Sequence, residues 1–196
     1  MENEKYSNYP LSISAILGLI EANDIAIPEI QRPFVWRRTQ VRDLIDSLYK
    51  GYPTGYIILW KNPNVKLKDG TISSGKKVLI DGQQRITAMM TAIAGRTVFN
   101  SEYKEDRITI AFNPLAAKSN DPDAEIFAVT TPAIRKSKWW IPDIAELFST
   151  SYSSFKFIPK YCEANPEMEP EELERIITKV KGIANRMIGV IELSEN

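Results

Sequence analysis

The run Val78-Leu79-Ile80-Asp81-Gly82-Gln83-Gln84-Arg85 gathers the side chains of this protein best suited to chemistry. Three apolar residues lead into a carboxylate, a glycine, two amides and a guanidinium. Ile86, Met89, Met90 and Ile93 then recur at helical spacing, so the pattern predicts a buried strand, a tight turn and the start of a helix. Such a joint aims free backbone N–H groups and the positive end of a helix dipole at an anion. A carboxylate beside bound phosphate makes chemical sense when a divalent metal sits between them. The same residues also suit a capped helix, with Asp81 as N-cap and Gln84 in the capping-box position. From this stretch alone, the two readings weigh equally.

Two further stretches mix polar and aromatic residues. In Glu29-Ile30-Gln31-Arg32-Pro33-Phe34-Val35-Trp36-Arg37-Arg38, Pro28 and Pro33 predict an extended, stiff segment. Arg32 could clamp a phosphate through its planar fork. Phe34 and Trp36 are expected to pack, whereas Gln31-Arg32 is hard to explain as scaffold. Arg135-Lys136-Ser137-Lys138-Trp139-Trp140 has the composition used for single-stranded nucleic acid. In a chain of zero formal net charge it is read as a surface patch leading into buried tryptophans.

The 196 residues suit one domain, or one domain with an appendage, at 43% hydrophobic and 26% charged content. Lys and Arg lead Asp and Glu by 13 to 9 over residues 1–100 and trail them by 12 to 16 afterwards, so the opening motif lies in the basic half. The absence of histidine excludes Ser-His-Asp and Cys-His catalysis, His-based zinc sites and HNH chemistry within these residues. The single cysteine, Cys162, fits a reducing compartment and an incidental thiol. A polar, acidic N-terminus and the lack of an apolar run of membrane length point to the cytoplasm, with no membrane partner.

The elements that must position these residues follow from periodicity and breakers. Helices are predicted from Leu11 to Ala22, from Thr39 to Lys50 with Gly51 closing, from Pro142 through Phe148, and from Pro170 to Met187. Strands are predicted at 25–28, 56–60, 107–112, 125–129 and from Gly189, with 107–112 and 125–129 as an antiparallel pair. Residues 61–77 read as a polar excursion, turned at Asp69-Gly70. The character changes at Thr150. We therefore expect one unit over 1–149 and a helical extension over 150–196, leading toward a further C-terminal region.

Three stretches in order carry a resemblance: 27–36, then Gly51-Tyr52-Pro53-Thr54-Gly55-Tyr56-Ile57-Ile58-Leu59-Trp60, then Leu79-Ile80-Asp81-Gly82-Gln83-Gln84-Arg85-Ile86-Thr87. Together they resemble the N-terminal domain of GmrSD-type modification-dependent restriction endonucleases, within the ParB/sulfiredoxin-like superfamily. Lys138-Trp139-Trp140-Ile141-Pro142 and Val190-Ile191-Glu192-Leu193 are weaker landmarks of the same likeness. The resemblance implies an α+β, ParB-like fold: a small mixed sheet with flanking helices and a C-terminal helical extension. It implies binding and hydrolysis of a nucleoside triphosphate with Mg2+, serving a phage-defence system in which a C-terminal HNH-type nuclease domain or subunit cuts modified DNA.

On that resemblance, Asp81 would hold metal, with Asp81, Gln83, Gln84 and Gln31 in the catalytic set. Gly82, Arg85, Arg32 and Thr87 would bind nucleotide. The partners implied are nucleotide, modified DNA through the full-length protein, the nuclease half and a second copy of the chain. The histidine-dependent nuclease half has no counterpart in these residues, so cleavage by this chain alone is not expected. The rival readings are a DNA-recognition domain, which the neutral charge disfavours, and a catalytically silent scaffold that needs the nuclease half.

Overall fold

A computed structural model describes residues 5–27, 33–61, 76–119 and 121–194. In chain order the elements are β1 (Tyr6–Ser12), α1 (Ile13–Glu21), β2 (Ile25–Ala26), α2 (Arg38–Lys50), β3 (Tyr56–Lys61), β4 (Lys77–Asp81) and α3 (Gln83–Ala92). Then come β5 (Val98–Phe99), β6 (Glu105–Asp106), β7 (Ile110–Phe112), α4 (Pro114–Lys118), β8 (Phe127–Val129) and α5 (Pro132–Lys136). The chain continues through α6 (Ala145–Phe148), α7 (Ser154–Ala164), α8 (Pro170–Lys181), a 3-10 turn (Gly182–Asn185) and β9 (Met187–Leu193).

The main sheet has five strands in the order β1-β9-β3-β4-β2. It is mixed: β1–β9 and β3–β4 are antiparallel, while β9–β3 and β4–β2 are parallel. Ile57 and Leu59 of β3, Leu79 of β4, and Ile188 and Val190 of β9 are buried in one cluster. That cluster also holds Val41, Leu44, Ile45 and Leu48 of α2, Ile86 and Met89 of α3, and Leu173, Ile177 and Val180 of α8. Residues on both sides of position 150 thus share one sheet and one core. The expected α+β class, a small mixed sheet with flanking helices, is the one found.

Local chemistry explains the boundaries. The apolar stripe of α2 is buried, and Gly51 ends the helix at φ 81°, donating its N–H to Leu48 and Ser47 carbonyls. The first helix starts at Ile13 rather than Leu11, because Leu11 and Ser12 pair with β9 and the Ser12 side chain caps the helix by accepting from the Ala15 N–H. The strand expected at 107–112 shortens to β7, since Arg107 turns to the Asp143 carboxylate at 2.6 Å and the Ile108 N–H donates to the Thr91 hydroxyl. The final helix stops at Lys181, and the 3-10 turn feeds β9. The Ser-rich approach to Asn165, unassigned from sequence, forms α7 despite Pro159. Most of the 61–77 excursion falls outside the described residues.

Candidate functional site

The site is built where β3 and β4 run side by side into α3. Ile58 pairs with Asp81 but Leu59 pairs with Leu79, so Ile80 is an extra residue on β4. This bulge bends the strand end and re-aims the turn after it, as bulges beside functional sites do. Both Ile80 and Asp81 are exposed, after buried Val78 and Leu79. Gly82 then adopts φ 91°, in the left-handed region, and opens α3 without any side-chain cap. A Cβ there would stand 2.7 Å from the Ile57 side chain, so only glycine lets the turn lie on β3.

The capped-helix reading is thereby corrected. Asp81 is not the N-cap, because the left-handed turn at Gly82 swings its carboxylate outward, leaving it 68% exposed and 3.8 Å from Arg85. Gln84 makes no capping box either. Its Nε2 donates to the Pro33 carbonyl at 3.1 Å and its Oε1 accepts from the Val35 N–H at 3.0 Å. One amide therefore fastens the 33–35 stretch to the first turn of α3. Phe34 and Trp36 pack as expected, Phe34 in the core and Trp36 against it.

Arg85 is a strut. Its Nη1 donates to the Thr54 carbonyl at 2.5 Å and its Nη2 to the Tyr56 carbonyl at 2.6 Å. Gly55 between them has φ 86°, and a Cβ there would lie 2.7 Å from Nη1. The guanidinium thus locks the 54–56 turn to the helix, and its Nη2 also stands 3.8 Å from the Asp81 carboxylate. Gln83 is half-buried at the helix start, and Thr87 is buried within α3 at 8% exposure. Gln31 and Arg32 lie outside the described residues; Gln84 holds the chain immediately after them. Sequence reasoning missed the carbonyls of Thr54 and Tyr56, although Gly55 in the 51–60 stretch was their one visible signal.

A single outward carboxylate suits Mg2+, which keeps several waters and uses one or two carboxylates together with substrate phosphates. Among the described residues no group of three or more His, Cys, Asp or Glu side chains stands ready to hold a metal ion. Cys162 is half-buried, and burial, with Glu169 adding to it, pushes its thiol up, away from a nucleophile's range. Among the described residues no helix is long and apolar enough to cross a membrane.

Fold and turn together define a mixed α+β domain with a strand–glycine–helix joint braced by Gln84 and Arg85. Residues 13–194 match the family described as GmrSD restriction endonuclease, N-terminal domain, and the chain belongs to that family. A protein of Methanocaldococcus jannaschii described as uncharacterized is 29% identical over 89 residues, covering 36% of this chain. The chain spans 14% of that relative's length.

Proposed function

We propose that this domain binds a nucleoside triphosphate with Mg2+ at the Asp81–Arg85 turn and hydrolyses it, as the nucleotide-driven part of a restriction endonuclease system. The observation that carries this reading is the joint itself. An exposed carboxylate precedes a left-handed glycine that opens a ten-residue helix with no side chain on its first N–H groups. Phosphate oxygens would take those N–H groups. Asp81 would hold the metal, which neutralises charge on the phosphates. Gln83 stands at the helix start, where an amide can orient water, and Gln84 and Arg85 position the two flanking segments. Arg32 and Gln31, outside the described residues and next in sequence to the 33–35 stretch that Gln84 fastens, are assigned to the set on the resemblance alone. The family match supports placement in a restriction system. A ParB/sulfiredoxin-like ancestry, work in the cytoplasm against phage, a nuclease half as partner and modified DNA as the system's target are parts of the same proposal.

Asp81→Asn is the cleanest test, because that side chain is exposed and its one described partner is Arg85 at 3.8 Å. Triphosphate titrations of both proteins, with and without Mg2+, should show tighter binding with metal in the wild type. In the variant that gain should be lost while the metal-free affinity remains. Phosphate release should accompany the wild-type complex. If no triphosphate binds at saturating Mg2+, the reading fails.

A further inference from the structure

The loop between α5 and α6 lies outside the strand–turn–helix site, and the structure corrects what its sequence suggested. Trp139 is not buried: it is 51% exposed. Arg135, Lys136 and Lys138 are exposed as well, and no described side chain pairs with any of the three. The backbone at Lys138 and Trp139 is held firmly. Tyr161 of α7 donates its hydroxyl to the Trp139 carbonyl at 2.7 Å, and Asn165 donates its amide to the Lys138 carbonyl at 2.9 Å. Both anchors are buried, Tyr161 at 7% and Asn165 at 0% exposure. Glu167, near enough to act on the Tyr161 phenol, bounds the patch on that side.

The last turn of α5 and the fixed loop after it turn two helical cations, a third on the loop and an indole to solvent, which matches a polyanion with flat, unpaired rings. We propose that residues 135–139 form a docking surface for single-stranded nucleic acid, with Arg135, Lys136 and Lys138 on phosphates and a base stacked on Trp139. Duplex fits worse, because its base faces are already stacked and leave the indole nothing to cover. The proposal does not rest on triphosphate binding, and its test contains no nucleotide triphosphate or metal.

The probe is a short fluorescent oligodeoxythymidylate, followed by anisotropy and by tryptophan quenching over a range of salt. Three phosphate contacts give a slope of log affinity against log salt of roughly −2. Trp139→Ala should weaken binding about tenfold or more, and Trp139→Phe should restore most of it. Combined Arg135→Ala, Lys136→Ala and Lys138→Ala should flatten the salt slope at an unchanged melting temperature. No binding at low salt, equal affinity in Trp139→Ala, or equal affinity for a hairpin duplex of the same length would overturn the proposal.

Discussion

At the scale of single residues, the site depends on side chains that serve backbone. Arg85→Ala removes two charge-assisted bonds to the 54–56 turn. It should cost about 2–3 kcal/mol in chemical denaturation, and Arg85→Lys should not rescue it, since an ammonium lacks the planar fork. Gly82→Ala should cost about 1–3 kcal/mol, from a left-handed backbone and the contact with Ile57. Gln84→Ala should cost about 1–2 kcal/mol in the same assay. The motif was legible because polar types crowd around one glycine. The roles of Gln84 and Arg85 were not, because their partners are main-chain atoms at Pro33, Val35, Thr54 and Tyr56, and main-chain atoms carry no mark in a sequence.

At the scale of elements, local signals and distant pairings separate cleanly. The second helix was legible from its apolar stripe and Gly51, both of which act within a few residues. The first strand was not, because Pro10 and its polar neighbours lack strand character and its one described pairing partner is β9. Across β1, β9 and β4, Lys77 donates to Glu192 at 2.8 Å and to Tyr9 at 3.1 Å, and the Tyr9 hydroxyl donates to Glu192. Burial alone would raise the Glu192 carboxyl, but the bonds from Lys77 and Tyr9 outweigh it and hold it below the usual carboxylate value. Burial would lower Lys77, yet its bonds to Glu192 and Tyr9 carry it above the usual lysine value. A lowered acid stabilises the fold above its unfolded value and loses that contribution as pH falls through the folded one. A raised base does so below its unfolded value and loses it as pH rises through the folded one. Glu192→Gln should therefore be less stable than wild type by about 1 kcal/mol near neutrality, after discounting for partial exposure. The gap should close as pH falls through the lowered Glu192 value, which denaturation at several acidic pH values will show.

At the scale of the whole molecule, ligand linkage gives the broadest check. A triphosphate with Mg2+ at about a hundred times its Kd adds about 2.7 kcal/mol to stability. For a domain of this size that should raise Tm by roughly 5–10 °C, read by differential scanning fluorimetry, while adenosine or guanosine without phosphates should leave it unchanged. The placement of β9 has a further consequence, in the order of synthesis. Tyr6 pairs with Leu193 and Ser12 with Met187. A nascent chain therefore carries β1 without its neighbour until residues 187–193 have left the ribosome, roughly ten to forty seconds after β1 itself at ordinary elongation rates. During that interval β3 also lacks one of its two flanking strands, and both present open main-chain edges that other chains can pair with. Of the five strands in this sheet, the one made last, β9, is thus the one that joins β1 to β3, and a chain stalled before Met187 is expected to carry both edges open to aggregation.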